Sequence, residues 1–225
     1  MSFILNIDTT SGTALVNIAQ TGHVIVEENN PQQKDHAAFL QTAIQLLVKK
    51  VGIGLHDLSA VAVSHGPGSY TGIRVGMSSA KGLCYALNKP LITLNTLEIL
   101  AKDAIDNSDI TPFDQPVLYS PMIDARRMEV FTAVYDRALN IVQAPTALIL
   151  DENSYVNILL KNNVIFLGSG ADKWQQLCIH ENAIFDTIKN KGLAMSSLSY
   201  QQLQKNNFSD IAYAEPLYIK EFYTA

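Results

Sequence analysis

The segment HGPGSYTGIRVG at residues 65–76 has the residue types of an anion-binding loop. Gly66 and Gly68 allow backbone conformations that are closed to other residues, and the helix that follows would offer free N–H groups to a phosphate. Two nucleotide-binding motifs nearly fit, and both fail. A P-loop needs a lysine directly after its glycines, and a dinucleotide fingerprint needs a third glycine where this chain has Thr71. The loop therefore either contacts a nucleotide at a subunit junction, through Gly66, Gly68 and Ser69, or is a turn that positions the helix.

Three further turns combine residues that could bind a nucleotide. Asp8-Thr9-Thr10 places a carboxylate beside two hydroxyl groups, which can hold Mg²⁺ and phosphate oxygens. The matching turn in the second half, Asp124-Ala125-Arg126-Arg127, adds arginine, which binds phosphates or carboxylates. The GSG turn at 168–170 could face an adenosine. The alternative for each is a turn without a ligand. The candidate nucleotide contacts in these turns are Asp8, Thr9, Thr10, Asp124, Arg126, Gly168 and Gly170.

Metal-dependent and nucleophilic catalysis lack their usual residues. A His-x-x-x-His pair on a helix would bind a metal ion, but Leu40 follows His36 at the second position. No G-x-S-x-G nucleophile elbow occurs. We therefore expect no metal site and no catalytic residues, which argues against an endopeptidase.

The elements that would position these residues follow the order βββαβαβα in the first half, after which the second half restarts with three strands. In the first half, a helix beginning at an Asp35 cap is expected to end at Gly52, and a second helix is expected from Thr71 to Leu87. The segment DNSDITPFDQ is predicted to be a linker. The remaining predictions are strands in PVLYSPMID, EVFTAVYD, IVQAPTALIL and VIFLGSG, helices in NSYVNILLKN and ADKWQQLCI, and an extended tail around Pro216.

Small residues recur every fourth position on the second helix, at Gly72, Gly76 and Ala80. Glycine is unfavourable inside a helix, so a close backbone approach must explain it. The approaching backbone could belong to the same domain or to a partner. In the second case, Gly76→Leu would block association and leave the monomer folded. Arg74 in the first turn faces an unfavourable helix dipole, so we expect a carboxylate partner for it.

The composition describes a globular chain of 225 residues that is 48% hydrophobic and 16% charged, with a net charge of −5. This acidity argues against independent binding of nucleic acid. Cys84 and Cys178 are isolated, as expected for reduced thiols in the cytoplasm. The N-terminus lacks the features of a signal peptide, and no apolar run is long enough to suggest a membrane span.

Four segments resemble the bacterial TsaB (YeaZ) family: ILNIDTTSGTALVNI, DHAAFLQTAIQLL, VSHGPGSYTGIRVGMSSAKGLCYALNKPLITLNTLEILA and MIDARRMEVFTAVYD. The resemblance implies an α/β chain with the actin-like ATPase (ribonuclease H-like) fold. It implies two tandem βββαβα subdomains, which we expect at residues 1–106 and 107–225.

The resemblance also implies a role in forming threonylcarbamoyladenosine (t6A) at position 37 of tRNAs that read ANN codons. In this family the paralogue TsaD transfers the threonylcarbamoyl group from its AMP adduct, and the ATPase TsaE joins the pair. The chain itself would be a non-catalytic scaffold that needs no cofactor, while the complex uses ATP and Mg²⁺. It would homodimerise alone and meet tRNA only through the complex.

The resemblance places the partner interface on the first two helices. The residues expected there are His36, Phe39, Leu40, Ala43, Leu47, Gly72, Arg74, Val75, Gly76, Ser79, Ala80 and Leu83. The alternative function is an actin-like small-molecule kinase or ATPase that binds Mg-ATP between the Asp8 and Asp124 turns.

Overall fold

The computed structural model describes residues 2–31, 36–107 and 116–220. The chain forms two compact units. Unit 1 comprises Met1–Thr96 and Gly192–Leu217, and unit 2 comprises Leu97–Lys191 and Tyr218–Ala225. This division differs from the expected halves 1–106 and 107–225, because the chain returns to unit 1 after residue 191. The predicted Asp35 cap and most of the predicted linker lie outside the described residues.

Unit 1 is built on a five-stranded sheet. Its strands are β1 (Phe3–Asp8), β2 (Ala14–Gln20), β3 (His23–Asn30), β4 (Leu58–Gly66) and β5 (Leu91–Asn95). They lie in the order β3-β2-β1-β4-β5, with the first three antiparallel and β1, β4 and β5 parallel. The central strands β1 and β4 are almost entirely buried, as expected for strands covered on both faces.

Two helices, α1 (His36–Val51) and α2 (Tyr70–Leu87), pack on this sheet. The buried residues of α1 recur at helical spacing, and they are His36, Leu40, Ala43, Ile44 and Leu47. Helix α2 begins after Ser69, whose hydroxyl accepts a hydrogen bond from the N–H of Gly72, and ends at Asn88 in a left-handed conformation. The predicted start and end of α2 are confirmed to within one residue. A short turn of 3-10 helix, Leu55–Asp57, precedes β4, and α3 (Thr96–Asn107) follows β5.

Unit 2 repeats the same sheet topology. Its strands are β6 (Val117–Asp124), β7 (Glu129–Tyr135), β8 (Ile141–Ile149), β9 (Asn163–Leu167) and β10 (Ala183–Phe185). The order β8-β7-β6-β9-β10 matches that of unit 1 strand for strand, which confirms two tandem βββαβα-type subdomains of the actin-like fold. The predicted strand through Pro145 is present as β8, at the sheet edge, where a missing N–H is tolerated.

Unit 2 contains most of α3, whose Leu100 and Ala104 pack with Tyr119 of β6 in one buried core cluster. Its two other helices are short, and they are α4 (Val156–Leu159) and α5 (Ala171–Gln175). Trp174 of α5 packs with Phe166 and Tyr155 at ring-centroid distances of 6.0 Å and 5.6 Å. The three rings belong to one buried hydrophobic cluster of unit 2.

The final helix, α6 (Lys191–Gln204), was not predicted. Its buried face includes the small residues Gly192, Ala194, Ser196 and Ser199, so the sequence lacks a stripe of large apolar residues. From Gly192 onward α6 belongs to unit 1, where Asn17 donates to the carbonyl oxygen of Gly192.

Candidate functional site

The glycine loop of unit 1 is held against the turn between β1 and β2. The N–H of Ser69 donates a 2.7 Å hydrogen bond to the carbonyl oxygen of Thr10. A Cβ atom at Gly68 would collide with the same oxygen, which is why this position requires glycine. Gly66 has a φ of +116°, in the region that favours glycine. The structure thus brings the predicted glycine-loop residues and the first predicted turn into one site.

Helix α2 is equally close to this turn. The hydroxyl of Thr9 donates a 2.6 Å hydrogen bond to the carbonyl oxygen of Gly72. A Cβ at Gly72 would meet the carbonyl oxygen of Thr9, and a Cβ at Gly76 would meet its hydroxyl oxygen. Gly72 and Gly76 therefore accommodate Thr9 of the same chain, which favours the first of the two explanations considered for the small-residue stripe.

Asp8 and Thr10 are joined by hydrogen bonds within their turn. One oxygen of the buried Asp8 carboxylate, Oδ1, accepts hydrogen bonds from the N–H of Thr10, at 2.9 Å, and from its hydroxyl, at 2.7 Å. Because Thr9 and Ser69 also make internal hydrogen bonds, a phosphate group would have to displace several contacts to enter here.

His65 immediately precedes the glycine loop. Its Nδ1 atom lies 2.9 Å from the carbonyl oxygen of Leu94. Burial lowers the pKa of His65, and the hydrogen bond to the carbonyl oxygen only partly opposes this. The folded chain therefore favours a neutral imidazole. Its hydrogen bond links the ends of β4 and β5, and a neutral ring would not attract an anion.

In unit 2, the Asp124 turn and the GSG turn also lie together. The N–H of Asp124 donates to the hydroxyl of Ser169 at 3.1 Å, and a Cβ at Gly168 would collide with the carbonyl oxygen of Met122. Burial disfavours the charged form of Asp124, but hydrogen bonds from Lys173 and from the N–H of Arg126 outweigh it and lower the pKa of the carboxyl group. The predicted contacts Asp124, Arg126, Gly168 and Gly170 are thus neighbours within one unit.

The predicted interface residues separate into two groups. The first group is buried inside unit 1 and packs on its core or against the Thr9 turn; it consists of His36, Leu40, Ala43, Leu47, Gly72, Gly76 and Ala80. The second group is half-buried or exposed; it consists of Phe39, Arg74, Val75, Ser79 and Leu83. In the folded unit, contact with a partner is therefore available to the second group only.

A shallow groove of about 460 Å³ lies along the first half of α2, beside the start of α1. Its lining includes Ala37 from α1 and Arg74, Val75 and Ser78 from α2. The guanidinium carbon of Arg74 lies 3.9 Å from the centre of the Tyr70 ring, so Arg74 stacks on an aromatic face. Tyr70, Ser78 and the 84% exposed Tyr85 lie outside the predicted set of interface residues, although Ser78 and Tyr85 follow Arg74 at helical spacing.

Comparison with known proteins gives the family. The family model for "TsaD: tRNA N6-adenosine threonylcarbamoyltransferase" matches residues 23–214. The "tRNA threonylcarbamoyladenosine biosynthesis protein TsaB" of Bacillus subtilis (strain 168) is 30% identical over 195 residues, which cover 84% of this chain and 78% of that protein. The chain belongs to the TsaB family.

Solved structures agree on the fold of this TsaB-family chain. YeaZ from Pseudomonas aeruginosa superposes with a TM-score of 0.80 at 22% identity, covering 97% of this chain and all of that chain. The inorganic polyphosphate/ATP-glucomannokinase from Arthrobacter sp. strain KM has a TM-score of 0.52 at 11% identity, covering 89% and 99%. At these identities the likeness concerns the fold alone, and it is that of the actin-like ATPases.

His36 of this TsaB-family chain is buried at the first residue of α1, and Leu40 one turn later is part of the hydrophobic core. Residues 2–31, 36–107 and 116–220 contain no group of three or more His, Cys, Asp or Glu side chains placed to hold a metal ion. Across the same ranges, no helix combines the length and apolar character needed to cross a membrane.

Proposed function

We propose that this chain is a non-catalytic subunit required for t6A37 formation in tRNAs that read ANN codons. The observation that carries the proposal is its 30% identity, over most of the chain, to a protein named for threonylcarbamoyladenosine biosynthesis. In this role the chain works in the cytoplasm within a complex and modifies no substrate alone.

Chemistry is assigned to the partners. TsaD transfers the threonylcarbamoyl group from its AMP adduct, and TsaE supplies ATPase activity, so ATP and Mg²⁺ serve the complex. The non-catalytic role is supported by Leu40 at the position of a second histidine and by the internal hydrogen bonds that occupy Thr9 and Ser69. The chain requires no cofactor of its own.

The surface that we assign to partner binding is the accessible face of α1 and α2. Apolar groups are exposed there, including Leu46 at 41% and Tyr85 at 84%. An interface core is typically apolar and aromatic, with charged groups depleted. The same face would form a homodimer in the isolated chain and would exchange it for TsaD, because related folds offer related docking geometry.

Reconstitution tests this role. Purified TsaD, TsaE, the enzyme that forms the adduct, tRNA, threonine, bicarbonate and ATP are incubated with and without this chain, and t6A is measured by mass spectrometry of nucleosides. We expect t6A only when the chain is present. Equal t6A formation in its absence would overturn the proposal and would favour the kinase alternative, which ATP turnover by the isolated chain would then test.

A further inference from the structure

The turn between β6 and β7 holds two consecutive arginines in an unusual conformation. Arg126 and Arg127 have φ angles of +70° and +49°, and both side chains are exposed. Residues with a Cβ atom rarely adopt this left-handed region, and glycine would adopt it without strain. Strained conformations of this kind concentrate at functional sites, so the identity of these two side chains needs an explanation.

The backbone of this turn is fixed from several sides. The carboxylate of Asp124 accepts a 2.6 Å hydrogen bond from the N–H of Arg126, and the N–H of Leu150 donates to the carbonyl oxygen of Met128 at 2.7 Å. The N–H of Asp124 donates to Ser169. The two arginines therefore project from a rigid support, which lowers the entropic cost of binding through them.

The two carboxylates that flank the turn form their ion pairs with lysines and not with the arginines. Asp124 pairs with Lys173 at 2.7 Å, and Glu129 pairs with Lys220 at 2.8 Å. Each flanking carboxylate is thus neutralised by a lysine. Within the part of the chain that the structure describes, the guanidinium groups of Arg126 and Arg127 make no hydrogen bond or ion pair. The guanidinium group of Arg126 interacts with the Asp124 carboxylate only at long range, because Lys173 already forms the ion pair with it. The two arginines are thus exposed positive charges in a unit that has nine Lys and Arg against fourteen Asp and Glu.

We propose that Arg126 and Arg127 bind the phosphate backbone of the tRNA when the complex holds it, which rests on the function proposed above. Guanidinium groups match phosphate oxygens in geometry and charge, and phosphate contacts position a nucleic acid without reading its sequence. A small nucleotide is normally enclosed in a concave pocket. Two exposed side chains on a hairpin turn suit an extended polyanion instead.

The test compares the complex of wild-type chain and TsaD with the complexes of two variants. Binding of a fluorescent, unmodified tRNA transcript is measured by anisotropy between 50 and about 300 mM salt, a range over which phosphate contacts dominate the change in affinity. The variants are R126A/R127A and the matched control R137A, which removes an exposed arginine from the turn at the other end of β7. R126K/R127K tests whether charge alone suffices.

We expect R126A/R127A to weaken tRNA binding about tenfold at 100 mM salt and to lower the salt slope by about 2, one counterion for each lost contact. R137A should keep both values, and the lysine variant should recover the slope. An unchanged affinity and slope in R126A/R127A would overturn the inference. The inference would also be overturned if R126A/R127A lost binding to ATP-Mg²⁺, measured by calorimetry, and kept its binding to tRNA. If reconstitution needs the chain, either result removes this inference and leaves the proposed function standing.

Discussion

The hydroxyl group of Thr9 lies 2.6 Å from the carbonyl oxygen of Gly72 and donates a hydrogen bond to it. This contact brings the β1–β2 turn directly onto α2. It explains two glycines that the sequence places inside a helix, where glycine costs about 1 kcal/mol relative to alanine.

Gly76→Ala should therefore destabilise the chain itself, because the new Cβ would collide with the Thr9 hydroxyl oxygen. We expect a loss of about 1–3 kcal/mol in the free energy of unfolding, measured by urea denaturation. Gly82→Ala in the same helix is the control, because open space surrounds that Cβ, and it should stabilise the chain by up to about 1 kcal/mol. For the same reason we now expect Gly76→Leu to unfold the chain, and not to leave a folded monomer. A stable Gly76→Ala chain would contradict the packing described here.

Ser78→Arg should prevent association while leaving the monomer stable. Ser78 is exposed in the groove of α2, so a new arginine would be solvated in the monomer and buried without a partner in a complex. We expect a monomer by light scattering and at least about a tenfold weaker affinity for TsaD. Gln201→Arg, at an exposed position of α6, adds the same charge elsewhere on unit 1 and should bind normally. Normal binding by Ser78→Arg would move the interface away from this face.

The two cysteines should differ in reactivity. Burial raises the pKa of Cys84 to about 11, and its thiol donates to the carbonyl oxygen of Pro90 at 3.5 Å. Cys178 is partly exposed. Because the thiolate is the reactive form, a disulfide reagent at pH 8 should modify one thiol in the native chain and both after unfolding. Cys178→Ser should abolish the native reaction. Rapid modification of Cys84 in that variant would show that the α2 core opens readily.

Acid should weaken the folded chain through His65. Its pKa is lowered in the folded state, so the unfolded chain takes up a proton first as the pH falls below about 6.5. Stability should thus be full above that pH and decline until the pH passes the folded-state pKa. His65→Gln should flatten this decline in urea midpoints measured from pH 7.5 to 5, whereas His56→Gln, at an exposed site, should retain the wild-type dependence. An identical pH profile for His65→Gln and wild type would assign the acid sensitivity to other groups.

Much of the architecture follows from the sequence, because period-two alternation and loop glycines marked the strands of both units and the start of α2. Helix α6 escaped prediction because small residues such as Ala194 and Ser196 form much of its buried face. The candidate site follows from the sequence only in part. Spacing identified Gly72 and Gly76 as positions of close approach, but only the fold shows that Thr9 is the neighbour. Likewise the sequence identifies Arg126 and Arg127 as basic, and the fold shows that Lys173 and Lys220 neutralise the adjacent acids.

The return of residues 192–217 to unit 1 has a consequence for synthesis on the ribosome. Strands β1 to β5 leave the exit tunnel early. The hydrogen bond from Asn17 to the carbonyl oxygen of Gly192, and the one from the N–H of Leu217 to the carbonyl oxygen of His65, can form only after the last residues have been translated. Domains usually fold in the order in which they emerge. Here the residues 97–191 of unit 2 are all translated before unit 1 has its last components. The nascent unit 1 therefore exposes part of its interior for most of translation, and a chain stopped at residue 191 would never close it.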